Sequence, residues 1–118
     1  PEESADTYNP KTLRSTMGSI FHIPVIAGVD LRALSSRLKR DGVLTIATSL
    51  EGAESLEKSV LSDPCAVLIG NEARGLSKET IDAADALVKI PMTGEAESLN
   101  ASVAGSILLY EIMKQKIL

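Results

Sequence analysis

Apolar and polar residues follow one another along the chain in blocks that predict strands and helices in alternation. The most strand-like block is residues 65–69, a continuous apolar run that stops at a glycine. Residues 43–48 and 86–90 are predicted as further strands, and residues 20–26 as a short strand that Pro24 places at an edge or a bend. Because the runs are apolar on both faces, they indicate strands that are covered on both sides of a sheet.

Helices are predicted between the strands from capping residues and from apolar spacing. Asp30 is expected to cap a helix that extends to about residue 40, in which leucines at positions 31, 34 and 38 share one face. Ser77 is expected to cap a short helix and Ser98 a long final one that reaches toward the end of the chain. Further predicted segments are a helix over residues 10–17 and a loop followed by a short helix over residues 50–61.

This alternation predicts an α/β fold with a largely parallel sheet flanked by helices. In such sheets, ligands bind beyond the carboxyl ends of the strands. Three polar loops are predicted to lie at such ends, at residues 48–49, 71–75 and 92–97. These loops are therefore the places where we expect the chemistry of the protein.

Composition narrows the class of protein. The chain has 118 residues, enough for one domain with its own core, and a single cysteine, which excludes an internal disulfide and fits a reducing cytoplasm. No apolar run is long enough to span a bilayer, no leader sequence opens the chain, and no Cys and His cluster resembles a zinc site. We therefore expect a cytoplasmic protein that needs neither a membrane nor a metal.

The net charge of −4 is unlike that of a typical compact nucleic-acid-binding protein, which carries a basic excess. Four cationic residues do fall within positions 32–40. A solvated helix face is the favoured interpretation of this run. If the protein binds a nucleic acid, many of its contacts would have to come from other parts of the chain.

The loop after the third predicted strand contains Glu72 and Arg74 between two glycines, Gly70 and Gly75. Glycine permits positive φ angles and a close approach of the backbone to a ligand. A tight connection with both charged side chains in solvent explains the same spacing equally well. The loop fits neither a dinucleotide fingerprint nor a phosphate-binding P-loop.

The loop after the last predicted strand has apolar walls, Ile90 and Met92, that suit a flat heteroaromatic ring. Asn100 is predicted in the first turn of the final helix, where its amide can both donate and accept hydrogen bonds. A polar residue that is merely tolerated near a helix end is the alternative. An apolar stripe along this helix, at positions 103, 107, 108, 112 and 113, is predicted to be core, with other positions available to a partner subunit.

Three segments together resemble one family. NPKTLRSTMGSIFHIPV, LIGNEARGLS and VKIPMTGEAESLNASVAGSILLYE are similar to successive parts of the SpoU (TrmH-like) branch of the SPOUT RNA methyltransferases. The resemblance implies an α/β fold with a C-terminal deep trefoil knot, binding of S-adenosylmethionine in the knot, and a homodimer. It also implies methylation of a ribose 2′-hydroxyl in rRNA or tRNA, without a metal.

The resemblance also implies roles for individual residues. Asn100 and Ser98 match the polar pair near the reacting centre, and Glu72, the third predicted catalytic residue, would hold the loop or act at the subunit boundary. Arg74 would meet RNA phosphate. The implied cofactor site consists of Thr48, Gly70, Asn71, Glu72, Gly75, Ile90, Met92, Ser98 and Leu99.

One departure from the family pattern qualifies this reading. The family's first motif, with an asparagine and an arginine, normally precedes the segment at which this chain begins, and nothing in residues 1–8 matches it. We therefore expect residues 1–118 to be a single, N-terminally truncated methyltransferase domain. A non-catalytic knotted module for RNA binding or dimerisation is the alternative, and the paired motifs argue against a generic nucleotide-binding domain.

Overall fold

The protein alternates helices and strands, as its sequence predicts. The computed structural model describes residues 4–48, 54–55, 64–70, 75–89 and 100–117. The helices are α1 (Pro10–Ser15), α2 (Leu31–Arg40), α3 (Lys78–Ala83) and α4 (Ala101–Ile117), with a 3₁₀ turn at Ser19–Phe21. The strands are β1 (Leu44–Thr48), β2 (Glu54–Ser55), β3 (Cys65–Leu68) and β4 (Ala86–Lys89).

The four strands form one sheet in the order β2-β4-β1-β3, and every pairing is parallel. In the central strand, Ile46 lies opposite Val67 of β3 and Ala86 of β4. The predicted parallel α/β architecture is thus confirmed. Because all the strands point the same way, the loops that leave them emerge at one edge, which we call the carboxyl edge.

The centre of the core lies between the sheet and α4. Ile46, Val88 and Leu108 are fully buried, and Ile112 packs against them. The prediction that the whole apolar stripe of α4 is core is wrong, because Val103 and Met113 are each about half exposed. α4 has apolar side chains on several of its faces, whereas the sheet covers one face.

Side-chain caps begin the helices α2 and α3, which lie beside one another. The Asp30 carboxylate accepts from the Arg32 backbone N–H at 3.0 Å, and the Ser77 hydroxyl accepts from the Thr80 N–H at 3.1 Å. Both predicted caps are therefore confirmed. Arg32, near the start of α2, forms an ion pair with Glu79, near the start of α3. Since α3 follows the carboxyl end of β3, this pair places the start of α2 at the carboxyl edge as well.

Two predictions of secondary structure are wrong. Residues 20–26 do not form a strand: the 3₁₀ turn occupies their start, and Phe21 and Ile26 are 86% and 78% exposed. Apolar composition alone does not make a strand when no neighbouring strand supplies hydrogen bonds, and Pro24 offers no N–H of its own. Conversely, Glu54–Ser55, expected in a loop or helix, pairs with Val88 and Lys89 of β4.

A hydrogen-bonded cluster ties β1 to the residue before β4. The Asp85 carboxylate accepts from the buried Thr45 backbone N–H at 2.9 Å and from the Thr45 hydroxyl at 3.0 Å. The Asp85 N–H donates in return to the Thr45 hydroxyl oxygen at 3.0 Å. This cluster lies at the amino edge of the sheet. It fixes the register of β1 and β4, whose other ends lie at the carboxyl edge.

We expect Asp85→Ala to lower the free energy of unfolding by about 2 kcal/mol, since it leaves a buried amide and a hydroxyl without their acceptor. Urea denaturation checks this value. Asp82→Ala is the matched control, because Asp82 is an exposed residue of α3 whose side chain makes no hydrogen bond or ion pair with the described part of the chain. Equal stability of the two variants would contradict the structural role of Asp85.

The same cluster makes a prediction about pH. The hydrogen bond from the Thr45 N–H lowers the pKa of Asp85 below its ordinary value of 3.8, with further lowering by the hydroxyl and the charge of Lys39 and an opposing effect of burial. As the pH falls, the unfolded state therefore binds the proton first. The contribution of the ionised Asp85 to the free energy of unfolding is complete above the pKa that this carboxyl has in the unfolded state. It is lost as the pH falls through the pKa that the carboxyl has in the folded state. Stability should decline less steeply below pH 3.8 in Asp85→Ala than in the wild type.

Candidate functional site

The candidate site begins where β1 and its two neighbours end. Thr48, the last residue of β1, lies opposite Val88 of β4. On the other side, its hydroxyl donates to the Leu68 carbonyl at the end of β3, over a long 3.4 Å. β1 is flanked by β3 on one side and by β4 on the other. Open parallel sheets bind ligands beyond the carboxyl ends of their strands. Thr48 therefore lies at the centre of the carboxyl edge.

The backbone of Gly75 and Leu76 lies directly against Gly70, at the end of β3. A Cβ atom on Gly70 would lie 2.5 Å from both the Gly75 carbonyl carbon and the Leu76 nitrogen, which are backbone atoms. Gly75 has a φ of +66°, whereas Gly70 does not lie in the left-handed region. The positive φ angle that glycine permits is therefore used at Gly75 and not at Gly70. At Gly70 the constraint is steric, since that backbone passes directly against the Gly70 Cα.

Asn100 occupies the N-cap position of α4. Its Oδ1 accepts from the Ser102 N–H at 2.9 Å and from the Val103 N–H at 3.4 Å, and its carbonyl accepts from the Ala104 N–H. The helix itself begins at Ala101, so the prediction that Ser98 caps it is wrong. These bonds occupy Oδ1 and hold the amide of the exposed Asn100 in one orientation. Its Nδ2 group is then available to donate to a ligand.

The start of α4 is held against the carboxyl edge. A Cβ on Gly105 would lie 4.0 Å from the side chain of Ile69, the residue that follows β3. The sequence shows small residues at the start of this helix but does not identify Ile69 as their partner. The apolar character of position 69 was visible, but its contact was not, because it depends on how α4 crosses the sheet.

Four of the predicted site residues can be placed. Thr48, Gly70 and Gly75 lie at the ends of β1 and β3, and Asn100 lies at the start of the helix that packs beside them. The other predicted site residues fall outside the described residues: Asn71, Glu72, Arg74, Ile90, Met92, Ser98 and Leu99.

The chemistry of the placed residues suits a ligand bound by neutral groups. None of the four carries a charge, and they offer a hydroxyl, an amide donor and glycine backbone that a ligand can approach closely. Such groups fit the adenine and ribose of S-adenosylmethionine, which are neutral. Within the described residues there is no cluster of three metal-ligating side chains and no helix long and apolar enough to cross a membrane.

Sequence comparison matches residues 1–110 to the SpoU rRNA Methylase family. The chain belongs to this family. It is 38% identical over 109 residues to the 23S rRNA (guanosine(2553)-2′-O)-methyltransferase RlmP of Bacillus subtilis, a match that covers 92% of this chain and 44% of that enzyme. The family predicted from the three motifs is thereby confirmed.

Solved structures agree with this membership. The SpoU methyltransferase AviRb from Streptomyces viridochromogenes, in complex with AdoMet, is 33% identical and superposes with a TM-score of 0.87 over 97% of this chain and 45% of its own. An AdoMet-bound rRNA methyltransferase from Sinorhizobium meliloti is 38% identical, with a TM-score of 0.84 over 95% of this chain and 43% of its own. The chain spans about half the length of the curated relatives it matches.

Proposed function

We propose that the protein is an S-adenosylmethionine-dependent RNA methyltransferase that methylates a ribose 2′-hydroxyl of rRNA or tRNA. The observation that carries the proposal is the convergence of Thr48, Gly70 and the start of α4 at the carboxyl edge of a SpoU-family sheet. Two AdoMet-bound relatives of the same fold support the cofactor, and RlmP supports the ribose 2′-oxygen as acceptor.

The placed residues have distinct roles in this proposal. Thr48 joins the ends of β1 and β3 and so shapes the floor of the cofactor site, while Gly70 lets the backbone of Gly75 and Leu76 pass close to that floor. Asn100 directs an amide N–H₂ from a fixed position at the start of α4. The remaining proposed contacts are Asn71, Glu72, Ile90, Met92, Ser98 and Leu99 for the cofactor, with Ser98 and Glu72 also acting in catalysis, and Arg74 for RNA.

When bound, S-adenosylmethionine would supply a methyl group on a positively charged sulfur. The ribose oxygen would bond to the methyl carbon in line while the carbon–sulfur bond breaks, so that the neutral thioether leaves and the hydroxyl proton passes to a general base. The sulfonium is already a good leaving group, so the protein mainly has to hold the two reactants in line. A rigid strand edge and a capped helix start are well suited to this task, because neither has to reorganise during the reaction.

Three finer features belong to the proposal. The first is a homodimer, which is supported by the exposed apolar residues of α4, among them Leu109 and Tyr110 at 60% exposure each. The second is a deep trefoil knot in a single domain, supported by the family match over residues 1–110. The third is a cytoplasmic location, consistent with the lone cysteine, Cys65.

Calorimetric titration of the purified protein with S-adenosylmethionine tests the proposal, with ATP as the control ligand and circular dichroism to confirm folding. We expect saturable binding of S-adenosylmethionine and none of ATP. Light scattering from the same sample gives the mass of the assembly, and methyl transfer to total ribosomal RNA or tRNA tests the reaction.

A folded protein that binds neither ligand would contradict the proposed cofactor site. A protein that binds RNA but does not bind S-adenosylmethionine would favour the alternative, a non-catalytic module for RNA binding or dimerisation. Equal binding of ATP and S-adenosylmethionine would instead indicate a general nucleotide site at the carboxyl edge.

A further inference from the structure

Positive charge is concentrated on one helix of an otherwise acidic protein. The basic face of α2 consists of four exposed residues, Arg32, Arg37, Lys39 and Arg40. These are four of the twelve Lys and Arg residues of the chain, and α2 contains none of its sixteen Asp and Glu residues. The rest of the chain therefore has eight positive against sixteen negative residues.

The basic face runs away from the candidate site along the side of the molecule. Arg32 lies at the carboxyl edge, where it pairs with Glu79 at the start of α3. Arg40 lies at the opposite end, because α2 leads through Gly42 into the amino end of β1. Eight residues of helix separate the two, a rise of about 12 Å. The face thus extends from the edge that carries the site to the far edge of the sheet.

Hydroxyl groups accompany these charges. A groove of about 540 Å³ lies between α2 and α3, with Arg32 near one end and Lys39 near the other. Ser35, Ser36 and Thr80 also line it, as do two carboxylates, Asp30 two residues before Arg32 in the chain and Glu79 in its ion pair with Arg32. Cations with interleaved hydroxyl donors are the groups that contact phosphate oxygens in protein–nucleic-acid complexes.

We propose that the basic face of α2 binds the phosphate backbone of the RNA on which the protein acts, and this inference rests on the proposed function. An RNA is far larger than the site at the carboxyl edge, so part of it has to lie along a neighbouring surface. A protein of net charge −4 repels a polyanion unless it offers a locally positive surface. Among the described residues, α2 offers that surface next to the site.

Existing ion pairs do not prevent this binding. Arg32 pairs with Glu79, and Arg37 lies 3.8 Å from Asp41, yet the side chains of both arginines are at least three-quarters exposed. Exposed ion pairs contribute little, so a phosphate can replace the carboxylate at small cost. Lys39 and Arg40 have no ion pair with another described residue.

A structural role is the competing explanation, since cations in the last turn of a helix offset its dipole. The test compares the wild type with Arg37→Gln/Arg40→Gln, which keeps good helix formers in α2. Binding to total ribosomal RNA is measured across a range of salt concentrations. Lys11→Gln/Arg14→Gln, in α1, makes the same charge change elsewhere and is the matched control.

We expect the α2 variant to have a shallower salt dependence, by about 1.5 in the slope of log affinity against log salt, for two lost phosphate contacts. The wild type then loses about eightfold more affinity than the variant between about 50 and 200 mM salt. The α1 control should keep the wild-type slope. Arg37→Lys/Arg40→Lys, which keeps both charges, should retain most of that slope.

An unchanged slope in the α2 variant, with methyl transfer by the wild type intact, would overturn this inference alone. The same slope change in both double variants would also overturn it, because the effect would then reflect net charge and not a surface. Failure of the wild type to bind S-adenosylmethionine would instead count against the proposed function. Lower stability of the α2 variant with an unchanged slope would assign the cations to the helix dipole.

Discussion

Gly70→Ala is expected to abolish binding of S-adenosylmethionine and to lower the free energy of unfolding by about 3 kcal/mol. The added methyl group would lie 2.5 Å from the backbone of Gly75 and Leu76, and no flexible side chain can yield to it. Either the returning loop or the end of β3 has to move, and both border the proposed cofactor site. Urea denaturation and calorimetric titration measure the two effects.

Gly105→Ala provides the matched control. Its new Cβ would be in ordinary contact with the flexible side chain of Ile69, at 4.0 Å. Alanine also favours a helix interior over glycine by about 1 kcal/mol. We therefore expect this variant to be at least as stable as the wild type and to bind the cofactor normally. Normal binding by Gly70→Ala would show that the close passage of the loop does not shape the site.

Asn100→Asp is expected to lower the rate of methyl transfer by about 100-fold while leaving the stability of the protein nearly unchanged. Aspartate caps helices as well as asparagine does, so the bonds from Ser102 and Val103 are kept. What it loses is the Nδ2 donor. Single-turnover transfer to RNA, together with urea denaturation, separates these two roles of one side chain.

Asn100→Ala removes both roles and should also lose about 1 kcal/mol of stability. Cofactor affinity should stay within a few-fold of the wild type in both variants if the amide acts during transfer. Full activity of Asn100→Asp would mean that Asn100 serves only as a cap. In that case the catalytic donor would have to be sought elsewhere in the site.

Local patterns predicted most of the elements of the fold. The caps Asp30 and Ser77, and the apolar runs that became β1, β3 and β4, are correct because each depends on interactions within a few residues or on burial of both strand faces. The strand predicted at residues 20–26 failed because a strand also needs a neighbour. The composition of that segment carries no information about one.

Most residues of the candidate site were predicted from the resemblance to family motifs, and only some of them from the properties of the residues themselves. Residue types pointed to the loop between Gly70 and Gly75. Of the two properties of glycine named there, positive φ applies to Gly75, whereas the constraint at Gly70 is a contact with the backbone of Leu76. For Asn100, two helix starts two residues apart are equally compatible with the local sequence. The bonds from Ser102 and Val103 decide between them.

The sequence by itself determined the order of the elements, the parallel character of the sheet and the family, since these depend on periodicity, capping residues and motifs along the chain. Only the tertiary structure decided that β1 lies between β3 and β4, that Leu108 and not Val103 enters the core, and that backbone passes against Gly70. Each of these facts is a contact between residues far apart in the chain. Such contacts depend on how helices and strands pack, which local preference does not specify.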